Sequence, residues 1–136
     1  MNMIQKELVQ TTFEQVWPMA DAAAALFYRR LFELDPTLQP LFKGEMNAQG
    51  RKLMEMLRLA VKGLDRPETL KPALAALGRR HADYGVNKHD YDTVGEALLW
   101  TLEQGLGPNF TPDVREAWVA VYVFVAGAMR DAAVAA

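Results

Sequence analysis

Residues 67–85 read PETLKPALAALGRRHADYG, and they decide the fold. Leu70, Leu74, Leu77 and His81 recur at spacings of four, three and four, which is one face of an α-helix. Pro67 suits a helix start, and Gly85 is a plausible stop just past the last apolar position. The only polar residue on that stripe is an imidazole, so the segment predicts a core-facing helix that carries one nitrogen donor.

The same helical period continues in both directions. Upstream, Ile4, Leu8, Phe13, Val16 and Trp17 form a first stripe, and residues 22–34 form a second that ends before Asp35-Pro36. Proline disfavours helical geometry at the residue preceding it, so the chain breaks there. A short turn over 37–42 and a polar loop over 43–48 lead into a third helix at about 47–64, with Leu53, Leu57, Ala60, Val61 and Leu64 on one side. Downstream, Tyr91, Val94, Leu98, Leu102 and Leu106 make the next stripe, broken by Gly107-Pro108. Thr111-Pro112-Asp113 supplies a cap, a first-turn proline and an acid near the positive dipole end of a last helix. That helix carries Val114, Trp118, Val121, Tyr122, Val125 and Met129, and an alanine-rich tail expected to fray. Strict alternation of β-branched residues is missing, so the fold class is all-α: six or seven helices in a single domain over residues 1–136.

Composition narrows the chemistry. Apolar residues make up 51% and charged residues 24% of 136, ordinary for a folded domain able to bury a cofactor. The net charge of −2 and scattered Lys and Arg give no support for nucleic acid as a partner. There is no Cys, which removes disulfides, zinc fingers, iron–sulfur clusters, thiolate-ligated haem and cysteine nucleophiles, and fits a reducing compartment. The first residues lack the basic head and apolar run of a signal peptide, and the most apolar stretch, 118–129, is too short for a bilayer. The expectation is a cytoplasmic protein with no membrane partner.

Only two histidines exist, so a zinc site of several imidazoles is unavailable. His81 on its apolar face is either a satisfied core histidine or the single axial ligand of a haem, a group that needs flat apolar walls and one neutral nitrogen. A ligating ring would donate its other N–H to an acceptor that the sequence does not identify. His89, between Lys88 and Asp90, reads as solvent-facing. Gln49, Leu53, Met56 and Ala60 share one face of the third helix. Tyr28, on an apolar helix, is either a core tyrosine or a hydrogen-bond donor.

Leu34-Asp35-Pro36, Pro40-Leu41-Phe42, Leu77-Gly78-Arg79-Arg80-His81 and Tyr84-Gly85-Val86 stand in the order and spacing of globins. Further matches are residues 93–99, Leu106-Gly107-Pro108, Phe110-Thr111-Pro112 and Ala117-Trp118 before Tyr122. The chain resembles the globin family from about Phe27 to Met129, and within it neuroglobin and the bacterial oxygen-avid, single-domain globins of the acidophilic methanotroph and Vitreoscilla-like types. The resemblance implies a globin fold enclosing haem b, with His81 as proximal iron ligand and Phe42 stacked on the porphyrin. It places Tyr28, Gln49 and Leu53 on the distal side, a Tyr-Gln-Leu set in place of neuroglobin's distal histidine. Lys52 would pair with a haem propionate, or less readily swing inward as a sixth ligand. Leu77, Val86, Tyr91 and Val94 would line the cofactor. In flavohaemoglobins and Vitreoscilla-like globins the tyrosine matched by Tyr91 joins a glutamate in bonding the proximal histidine. Ala133 stands at the glutamate position here, so their peroxidase-like proximal push is not expected.

The implied ligands are oxygen, carbon monoxide and nitric oxide. The first functional expectation is tight, reversible oxygen binding. The second is nitric oxide dioxygenation served by a separate reductase, because the chain ends where a flavohaemoglobin continues into its reductase domains. A gas or redox sensor is a third.

Overall fold

The computed structural model describes residues 2–42 and 44–135, with side chains through Ala133. Lys43, in the expected loop, and Ala136, at the end of the alanine-rich tail, lie outside them. Six α-helices follow one another among the described residues: α1 Met3–Val16, α2 Ala20–Leu34, α3 Met46–Gly63, α4 Pro67–Asp83, α5 Lys88–Leu106 and α6 Pro112–Ala135. Three short 3-10 turns, Trp17–Met19, Pro36–Leu41 and Gly107–Asn109, separate some of them, and no strand is present among the described residues. The all-α expectation therefore holds, and α1, α2 and α3 begin and end within two residues of the sequence reading.

Two residues of the first stripe are placed differently from the expectation. Ile4, expected in the core, is 69% exposed, because the buried face of α1 is instead Val9, Thr12, Phe13 and Val16. Trp17 falls in a 3-10 turn rather than in α1, since Pro18 follows it and has no N–H to continue the helical ladder. The loop expected over 43–48 is shorter, with α3 already under way at Met46.

α2 packs on α3 and α5, α1 on α6, and α4 along α6. Buried apolar residues fall into two clusters. The larger holds Val9, Phe13, Phe27, Tyr28, Leu31, Leu98, Leu102 and Trp118 among others. Within it the Trp118 indole donates to Thr12 Oγ1 at 2.9 Å, giving a buried polar atom its partner. The smaller cluster is Leu70, Leu74, Tyr91, Ala126 and Met129, where α4 meets α6 and the start of α5.

Glycine sets the closest approach in that smaller cluster. A Cβ on Gly78 would stand 2.2 Å from the Met129 carbonyl oxygen and 2.6 Å from its Cα, so α4 and α6 touch backbone to backbone. Gly78→Ala should gain about 0.5–1 kcal/mol of helix propensity but lose about 1–3 kcal/mol to overpacking, because backbone cannot rotate away. The expected result is a lower urea midpoint. A variant as stable as the parent would contradict the close crossing.

Candidate functional site

The end of α4 is built to hold one ring. Tyr84 caps the helix, Gly85 follows with φ of 96°, and the Gly85 and Val86 N–H groups donate to the carbonyls of Ala82 and His81 at 3.1 and 3.0 Å. This is the Schellman pattern, which favours glycine where the chain turns left-handed. The bond from Val86 pins the main chain of His81, and the turn carries Val86 back beside the smaller apolar cluster.

The His81 ring is half-buried, and its Nδ1 lies 2.9 Å from the Leu77 carbonyl. A carbonyl only accepts, so Nδ1 carries the proton and Nε2 keeps its lone pair. This is the acceptor that sequence could not identify, and it belongs to the preceding turn of the same helix. Burial pushes the His81 pKa below its ordinary 6.5, the Arg80 charge pushes the same way, and the Leu77 bond opposes both. The folded state thus favours the neutral ring needed for ligation. As pH falls below 6.5 the unfolded chain takes up a proton that the folded ring resists, so this group costs stability progressively in acid and nothing above that range. Retention of an axially bound cofactor should persist as pH drops past 6.5 and fail only below it, read from the Soret band. A release midpoint at or above that value would contradict the neutral, prepared ring.

Of the residues expected on the distal side, Tyr28 and Gln49 come together. Tyr28 is 8% exposed and its ring lies 5.2 Å from Phe42, edge to face, and 6.0 Å from Phe32, stacked. Its hydroxyl donates to the main-chain carbonyl of Gln49 at 3.3 Å. Burial raises the Tyr28 pKa to about 12, so the hydroxyl stays a neutral donor. What brings α3 so close is Gly50, whose added Cβ would lie 3.0 Å from Ala24 Cβ. Ala24 stands one turn before Tyr28, and Gly50 directly follows Gln49. Further along α3, Leu53, Met56 and Leu57 are half-buried and Ala60 is buried, while Lys52 is exposed and has no ion pair among the described residues.

Half-buried apolar side chains pack against the two buried clusters. Leu41, Phe42, Leu53 and Val94 pack on the larger cluster, Met56, Leu77 and Val86 on the smaller, and Tyr122 and Val125 on both. Apolar walls with one neutral nitrogen donor fit haem chemically. No group of three or more His, Cys, Asp or Glu able to hold a metal ion occurs among the described residues.

Tyr91 is buried in the smaller cluster, with the Arg130 guanidinium 5.7 Å from its ring centroid. Among the described residues no hydrogen bond joins it to His81; its carbonyl instead accepts from the Tyr122 hydroxyl. Tyr122 was not among the sequence-predicted site residues, although Gly95 hints at it, since a Cβ there would lie 2.8 Å from the Tyr122 ring. His89 is exposed, as expected.

The chain is all-helical among the described residues, and residues 25–129 match the globin family profile: the chain belongs to the globin family. Among similar proteins are neuroglobin of Danio rerio, 34% identical over 91% of this chain and 87% of the relative, and neuroglobin-1 of Oncorhynchus mykiss, 32% identical over 92% and 87%. Neuroglobin of Chaenocephalus aceratus is 33% identical over 93% and 88%. The protein is thus a haem protein for small gaseous ligands such as oxygen. No helix among the described residues is long and apolar enough to cross a membrane.

Proposed function

We propose that this globin, as a single domain in the cytoplasm, holds haem b through His81 and binds oxygen tightly and reversibly, with Tyr28 and Gln49 as distal donors. The observation that carries the reading is the Tyr28 hydroxyl, set beside Gln49 and in ring contact with Phe42. At 3.3 Å its bond to the Gln49 carbonyl is long, and easily exchanged for a better acceptor. Haem bound here would supply the gas-binding iron, and the Tyr28 hydroxyl would be the donor available to a ligand with partial negative charge. Leu53 would keep that side apolar, Phe42 would hold the porphyrin, and exposed Lys52 would be available to a propionate. Leu77, Val86, Tyr91 and Val94 complete the walls. α3 contains no histidine, so no imidazole competes with the gas from that helix.

The second reading, nitric oxide dioxygenation with a separate reductase, uses the same residues. The separation of Tyr91 from hydrogen-bonding contact with His81, together with Ala133 on α6, favours binding over chemistry that depends on a strong proximal push. Absorption spectra of the ferric, dithionite-reduced, oxygenated and carbonylated protein should each show a distinct Soret band. Nitric oxide consumption should stop after one equivalent when no reductase is supplied. A Soret band that ignores oxygen and carbon monoxide would sink the gas-binding reading, and sustained turnover with a cellular reductase would favour the enzyme.

A further inference from the structure

His81 has an aromatic neighbour that faces outward. The Tyr84 ring lies 6.1 Å from the His81 ring, centroid to centroid, and the residue is 61% exposed. Its hydroxyl has no hydrogen bond among the described residues, yet its backbone is fixed, with the Tyr84 N–H donating to the carbonyls of Arg80 and His81. Along the sequence on either side of it, the exposed charged residues of the stretch 79–89 are Arg79, Arg80 and Lys88 against one carboxylate, Asp83. The segment is locally positive in a chain whose net charge is −2. A helix C-terminus by itself favours cations. It gives no reason for an exposed ring placed against the ring of the ligand.

We propose that Tyr84, with Arg79, Arg80 and Lys88, forms the docking surface for an acidic one-electron donor protein, whose electron passes over the Tyr84 and His81 rings. The inference rests on the haem reading above and adds the place and the chemistry of the reductant. One electron leaves the reduced cofactor of the partner and one ferric iron becomes ferrous; no bond in this chain forms or breaks. Electron-transfer encounters bury little surface and rely on complementary charge for speed. A small basic patch with a single aromatic centre suits an acidic partner, and its action should weaken with salt.

The test uses the ferric holoprotein and reduced flavodoxin as an acidic probe, followed by stopped flow at low and high salt. Calorimetric binding of oxidised flavodoxin provides a readout that needs no electron transfer. Arg79→Glu with Lys88→Glu should slow reduction and weaken binding about tenfold at low salt, with the difference shrinking at high salt. Tyr84→Ala should slow reduction while leaving most of the binding, and Tyr84→Phe should behave as the parent. Dithionite, too small to need the surface, should reduce all variants alike. Unchanged reduction by flavodoxin in Tyr84→Ala, or unchanged affinity in the charge-reversed variant, would overturn the proposal while the haem reading stands. A parent protein with no dithionite-induced Soret shift would overturn both.

Discussion

Replacing His81 by alanine is expected to abolish stable haem retention while leaving the helices in place. The ring is half-buried at the last turn of α4 and its one hydrogen bond is to the carbonyl one turn back, so its removal leaves the Leu77 oxygen at a part-exposed position. Alanine is the best helix former, and the Schellman bonds at Gly85 and Val86 use main chain only. Far-ultraviolet circular dichroism should therefore change little. Loss of an outer-shell partner already costs metal sites roughly 10- to 100-fold in affinity, so loss of the nitrogen donor itself should exceed that. Transfer of haem to an acceptor apoprotein measures the effect. Free imidazole should restore part of the Soret band, which a misfolded variant would not permit. If His81→Ala kept the parent spectrum and retention, His81 would revert to an ordinary core histidine.

That histidine was legible because its residue type interrupts an apolar stripe, and the stripe survives in the structure with Leu70 and Leu74 buried beside it. The helix breaks at Pro36 and Gly107 were equally readable, since each reflects a backbone constraint local to one residue. What escaped the sequence was of a different kind. Periodicity counts apolar side chains, whereas the crossings at Gly50, Gly78 and Gly95 depend on side chains that are absent. Glycine inside a helix looks like a small local cost until its partner across the interface is known. The acceptor of His81 escaped because a bond to the carbonyl four residues back leaves no mark in residue type. Asn87 and Asp90, a reciprocal capping box at the start of α5, were overlooked although their spacing was open to view. Ile4 misled for the opposite reason, as one apolar residue at helical spacing near a chain end that nothing covers.

The two sides of the site are held differently, and this shapes what each can do. His81 is locked by its own helix, while Tyr28 is positioned by packing against Phe27, Phe32 and Phe42 and tied only by the 3.3 Å bond to Gln49. The His81 ring is thereby fixed, and the Tyr28 hydroxyl can exchange its long bond at small cost.

Tyr28→Phe should consequently preserve the fold and speed oxygen release. Phenylalanine keeps the ring in its aromatic setting and removes one oxygen atom, whose present bond at 3.3 Å is too long to contribute much to stability. A hydrogen bond to a charged acceptor is worth about 1.5–3 kcal/mol. At 1.4 kcal/mol per factor of ten, its loss should raise the dissociation rate roughly 10- to 150-fold if association is little changed. The upper end requires that Tyr28 surrender nothing when it turns from Gln49, so the weak existing bond argues for a large effect. Gln49→Leu, which removes a half-buried side chain but leaves the main-chain carbonyl in place, should produce a smaller rise as long as Tyr28 remains. Displacement of oxygen by carbon monoxide in stopped flow measures both rates. An off-rate in Tyr28→Phe equal to that of the parent would take the hydroxyl out of ligand stabilisation and leave Tyr28 as a packing residue whose polar tip happens to meet the first turn of α3.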